Sequence, residues 1–198
     1  MMEMLPALNG IGPILYDRIP AGDGAQTILY RTLYQRLVSY DQSLRGDLSS
    51  GKDTSEPPSA GSSLPEEPSF STSRGNGHLY GAMSGLGHVG CHYTARSEFE
   101  MNFPVGTAFL PEEWGRALNV QDQPESAAAL LWSVKEAVVK ALGTSFHYYD
   151  PLEFEVELME ARENGFLNII RAQQTYAAWS VFQEEGCFSL AVVRRQLI

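Results

Sequence analysis

The sequence predicts an α+β fold, with antiparallel strands packed on a few helices. Three observations carry that expectation. Ala25–Arg45 and the stretch ending at Gly143 repeat apolar residues at steps of three and four, the period of a helix with one buried face. From Phe154 onward the chain breaks into short runs rich in β-branched and aromatic residues, with turn formers between them. A hydrophobic content of 43% with 19% charged residues belongs to a chain that buries a core.

Bulk properties narrow the function. A length of 198 residues allows one domain or two small ones. A net charge of −10 argues against nucleic acid and anionic membranes as partners. Cys91 and Cys187 are too few for a disulfide framework, so a reducing compartment is the default. MMEMLPALNG has neither a basic start nor a long apolar run, so no signal peptide is expected. No apolar stretch reaches bilayer-spanning length. The expected location is cytoplasmic.

Taken in order, Gly12–Tyr16 is strand-like, and a Pro/Gly-rich turn follows at Ile19–Gly24. Leu29, Leu33, Leu37, Tyr40 and Leu44 give the helix over Ala25–Arg45 its apolar stripe. Residues 46–69, rich in Ser, Pro, Gly and Glu, cannot bury apolar area and are expected to form a flexible surface loop. Phe70–Cys91 is dense in glycine, but no G-x-x-x-x-G-K-[ST] phosphate loop occurs there. A strand, a turn and a strand fit it better, with strands at Leu79–Met83 and His88–Tyr93. Proline and two acids at Phe109–Trp114 open a short helix.

The central helix starts at Asp122, Pro124 and Glu125, which offer a cap, a first-turn proline and an acid at the positive end. Ala127, Leu131, Val134, Val138 and Ala141 form its stripe, so Val134 and Val138 are expected to be buried; Gly143 ends it. Beyond it, Phe154–Leu158, Leu167–Arg171, Ala178–Gln183 and Phe188–Val193 read as strands. Glu184-Glu185-Gly186 turns the last two into a hairpin.

The polar residues of the central helix have two readings. Glu136 and Lys140 can be a surface i,i+4 pair contributing about 0.2–0.5 kcal/mol. They can also flank a site where a carboxylate holds a hard cation and ammonium groups, including Lys135, meet phosphate oxygens. The string Trp132-Ser133-x-Lys135-Glu136-Ala137-x-x-Lys140-x-x-Gly143 favours the second. It resembles the W-S-x-K-E-A-x-x-K-x-x-G signature of surfactin-type 4′-phosphopantetheinyl transferases. Phe109–Trp114 and the closing Phe188-Ser189-Leu190-Ala191-Val192 resemble further family elements.

The resemblance implies two similar α/β halves related by a pseudo-twofold axis, with coenzyme A between them. The halves would be residues 1–84 and 85–198, the second carrying the signature helix. It implies transfer of 4′-phosphopantetheine from coenzyme A to a serine of an acyl or peptidyl carrier protein, assisted by magnesium. Glu136 and Lys140 would be catalytic, and Lys135, Lys140, Arg74 and Ser73 would contact coenzyme A. Metal binding would fall to Glu136 and to His92.

Upstream, the chain departs from the family. Ser71-Thr72-Ser73-Arg74-Gly75 aligns with a motif carrying histidine where Arg74 stands, and guanidinium is a good phosphate clamp. His92 and Thr94 take the positions of two metal-binding acids. Imidazole suits softer ions than magnesium, so a weakened site, or one favouring manganese, is expected. Glu98 and Glu100 lie beyond the matched positions. Arg18, Arg31, Arg36 and Lys52 match no 3′-phosphate motif. The alternative is a transferase-like pseudoenzyme that binds a carrier protein or coenzyme A without turnover.

Other constellations are weaker. His88-x-x-Cys91-His92 has zinc-type ligands, but on a strand Cys91 points away from both histidines. His147 reads as a loop residue, and there is no G-x-S-x-G nucleophile elbow.

Overall fold

The computed structural model describes residues 3–5, 14–49, 67–100, 103–183 and 185–194. Two antiparallel sheets organise them. The first has four strands, β1 (Glu3–Leu5), β2 (Ile14–Pro20), β3 (Ser69–Gly75) and β4 (His78–Ser84), in the order β1-β2-β4-β3. The second has five, β5 (Gly87–Ala95), β6 (Glu155–Arg162), β7 (Gly165–Arg171), β8 (Thr175–Gln183) and β9 (Gly186–Arg194), in the order β5-β9-β8-β7-β6. Helix α1 (Ala25–Ser49) covers the first sheet, while α2 (Pro111–Val120) and α3 (Pro124–Ala141) cover the second. The α+β expectation therefore holds.

Alternation in the strands assigns the layers. Val89, Cys91 and Tyr93 of β5 join Phe188, Leu190 and Val192 of β9 against Ile14, Tyr16, Tyr80 and Ala82 of the first sheet. The opposite face of the second sheet packs on α3 through Cys187, Ala191, Ala178 and Ile170. On the first sheet's outer side, Leu29, Leu33 and Leu37 of α1 meet Leu15, Leu79 and Met83. Gly90 lets α3 come close to β5: a methyl there would lie inside contact distance of the backbone at Ala137 and Ala141.

Several sequence expectations need correction. Helix α1 runs to Ser49, past the expected end at Arg45. The low-complexity expectation for positions 50–66 lies outside the described residues. β3 is a strand beyond those expected, paired with β4 through the tight turn at Asn76 and Gly77, at φ +46° and +70°. Leu79–Met83 and His88–Tyr93 are strands, extended to β4 and β5, but they belong to different sheets. The residue before α3 is Gln123, without a side-chain cap, so Asp122 does not cap the helix.

Candidate functional site

Helix α3 is buried almost all round. After its first turn only Trp132, Glu136 and Lys140, four apart, are not buried. Spacing of four puts them on one stripe. Trp132 uses its place for packing, stacking obliquely on Phe146 at 5.3 Å between ring centroids and edge-on to Phe109. Glu136 and Lys140 remain as the chemical groups.

Lys140 reaches the junction of the two sheets. Its Nζ donates to the carbonyl of Thr72 on β3 at 3.3 Å and to that of Cys91 on β5 at 3.1 Å. Two of its three protons are so directed. Burial raises the pKa of the Glu136 carboxyl, opposed by the charges of Lys140 and His147. His147, exposed on the segment after α3, is thus electrostatically part of this neighbourhood, which its sequence position did not suggest.

Lys135 has a different environment from the one expected. It is 0% exposed, and its Nζ donates to Ala108 O at 2.8 Å, Pro151 O at 2.9 Å and Glu113 Oε1 at 2.5 Å. All three protons point into protein, so none is directed at a phosphate. Burial lowers its pKa, and Glu113 opposes the shift. Glu113 is equally enclosed: Oε1 also accepts from Leu110 N, and Oε2 accepts from Val156 N at 2.7 Å. In the sequence the two acids of Phe109–Trp114 signal only a helix start, and no local pattern pairs Glu113 with Lys135. Ser133 is structural too, its hydroxyl bonded to Leu130 O and to Ser189 Oγ at 2.7 Å.

The upstream residues fall on β3 and β5. Ser73 is 7% exposed and accepts from Tyr93 N at 3.0 Å, while Arg74 is exposed on the neighbouring position of β3. His92 and Thr94 follow Gly90 on the α3-facing side of β5. His92 Nδ1 and Thr94 Oγ1 are buried without a hydrogen-bond partner among the described residues. Burial, helped by Lys140, pushes the His92 pKa down to about 3, so the imidazole is neutral. Cys91 faces the other sheet, its thiol pushed up to about 11 by burial, and His88 is exposed. The zinc reading therefore loses its convergence. Glu98 accepts from Ala95 N at 2.8 Å and caps a short turn.

The magnesium fit follows from these donors. The matched positions offer one carboxylate, one imidazole and one buried hydroxyl, and magnesium requires a near-octahedral set of hard oxygens. Among the described residues no three His, Cys, Asp or Glu side chains are grouped to hold a metal. This donor set does not fit magnesium.

A pH dependence follows from His92. Its folded pKa, near 3, lies below the unfolded value of 6.5, so between those limits the unfolded chain binds the extra proton. The stability contribution is complete above pH 6.5 and falls with acidification by up to about 1.4 kcal/mol per pH unit. Glu136, with its raised pKa, works in the opposite sense as pH climbs above the ordinary carboxylate range. Urea midpoints between pH 7 and 5 should drop more steeply in wild type than in His92→Asn. Parallel profiles would contradict a buried neutral imidazole.

The family described as the 4′-phosphopantetheinyl transferase superfamily matches residues 94–193, 100 of the 198 positions. The chain belongs to that superfamily. The match includes Lys135, Glu136 and Lys140 and begins after Ser73, Arg74 and His92. No curated protein matches the chain. Membership supports phosphopantetheinyl transfer as the general activity, with coenzyme A and carrier proteins as the partners it implies. No described helix is long and apolar enough to cross a membrane.

Proposed function

We propose that the protein transfers 4′-phosphopantetheine from coenzyme A to a carrier-protein serine, as the surfactin-type enzymes it resembles do. One observation carries this reading. Glu136 and Lys140 occupy the open stripe of an otherwise buried signature helix, and Lys140 reaches a carbonyl of each sheet. The serine hydroxyl would attack the β-phosphate of coenzyme A, and 3′,5′-ADP would leave. Phosphoryl transfer depends on positioning and on neutralising charge at the phosphate oxygens. Lys140 supplies a cation at the site, and Arg74, exposed one residue beyond Ser73 on β3, is proposed as a second. Glu136, its affinity for protons raised by burial, is suited to accept the serine proton directly or through water.

Because the donors do not fit magnesium, the lysine and arginine carry the phosphate charge in this reading, and turnover should be slow. The same donor set favours the second reading, a binder of coenzyme A or carrier protein without turnover. Mass spectrometry of an apo carrier protein incubated with coenzyme A, and magnesium or manganese, separates the two. A pantetheinyl mass shift, lost at least about 100-fold in Glu136→Gln, supports the transferase. No shift with either metal, with coenzyme A binding retained in calorimetry, selects the binder. Turnover abolished by chelator and insensitive to Lys140→Met would overturn the charge assignment.

A further inference from the structure

Ser69, Ser71 and Ser73 stand at alternate positions of β3, and their hydroxyls face the open edge of β5. They accept from Val89 N at 2.8 Å, Cys91 N at 3.0 Å and Tyr93 N at 3.0 Å. A backbone ladder is thus replaced, along this edge, by three side-chain hydroxyls. At the middle rung the contacts multiply. Cys91 donates its N–H to the Ser71 hydroxyl and its thiol to Ser71 O, while its own carbonyl accepts from Lys140. The residue after Ser71, Thr72, provides the other carbonyl that Lys140 holds.

We propose that this serine seam positions Lys140 for its ligand, with Ser71 as the principal positioning residue. The two carbonyls that orient the ammonium lie on different sheets, so their separation is set by whatever joins β3 to β5. Ser71 makes that join beside the Thr72 carbonyl and at Cys91 itself. With two protons of Lys140 fixed on Thr72 and Cys91, the third has a defined direction. Losing the hydroxyl would free β3 to shift along β5 and would leave the Cys91 N–H without its acceptor. The resemblance implies a coenzyme A contact for Ser73; here Ser73 and Ser71 act at one remove, through the lysine.

The proposal rests on the reading of Lys140 as a phosphate ligand, and a double-mutant cycle in the full chain tests it. Calorimetry with coenzyme A, repeated with 3′,5′-ADP, should give a Kd about tenfold weaker for Ser71→Ala. Ser71→Thr, which keeps the hydroxyl on a strand-favouring residue, should stay within about twofold of wild type. In a Lys140→Met background Ser71→Ala should change Kd less than about twofold, since the group being positioned is gone. Equal loss in both backgrounds, or failure of threonine to rescue, would overturn positioning in favour of general loosening. Hydrogen exchange gives a readout independent of ligand: Lys140→Met should speed exchange at the amides of Val89, Cys91 and Tyr93 at least tenfold, by the reciprocity of coupling. Unchanged exchange would overturn the coupling. Absence of coenzyme A binding in wild type, with exchange altered as expected, would refute the functional reading and leave the seam intact.

Discussion

Gly90→Ala should destabilise the protein by about 3 kcal/mol or more, among the largest effects of any single methyl in the chain. β5 and α3 approach each other at this position without a side chain between them. The new Cβ would press on Ala137 O, Ala141 N and the carbonyl carbon of Lys140. These are backbone atoms of one helix, so no rotamer change relieves the overlap, and the helix must move as a unit. Because Lys140 is part of the turn being pushed, its grip on Cys91 O should loosen as well. Urea denaturation checks the size of the effect. Gly115→Ala is the control, since it lies in α2 with nothing within 4 Å of the added carbon. There the substitution should stabilise by about 0.5–1 kcal/mol through helix propensity and a less flexible unfolded chain. Comparable midpoints for the two variants would mean that the helix does not rest on Gly90 as described.

The contrast between these glycines shows what was legible in the sequence. Periodicity located α3, and Val134 and Val138 are both 0% exposed, as the stripe required. It could not show that the helix would be covered on nearly every side, because the covering residues come from β5, β9 and the segment after Gly143. Lys135 and Glu136 are adjacent in the signature, yet one is sealed in the core and the other stays half-buried on the open stripe. A helix turns about 100° per residue, so neighbours diverge, but which direction is solvent depends on tertiary packing. Glu113 lies 22 positions before Lys135, and no local rule links the two. The seam was nearer to hand. S-x-S-x-S alternation on a strand puts three hydroxyls on one side, and Asn76-Gly77 marked the hairpin that makes β3 a strand at all.

Removing one partner of the Glu113–Lys135 pair should cost about 3–5 kcal/mol, because the survivor is a buried charge without its counterion. Glu113→Gln is expected at the upper end: the ammonium stays at 0% exposure without a counter-charge, and the new amide NH2 must face either Val156 N or the Lys135 and Leu110 donors. Lys135→Met should be milder. The remaining carboxylate still accepts from Leu110 N and Val156 N, although the two carbonyls lose their donor. In the double variant the charge mismatch disappears, and the summed single losses should exceed the measured loss by at least about 2 kcal/mol. Chemical denaturation at neutral pH provides all four corners of the cycle. A coupling near zero would mean that the ion pair contributes little beyond its backbone bonds. The same variants also decide what Lys135 is for. If it serves the fold, Lys135→Met should lose stability while coenzyme A affinity in the folded fraction changes less than about twofold. A variant of full stability that no longer binds coenzyme A would return Lys135 to the ligand and overturn its assignment to the core.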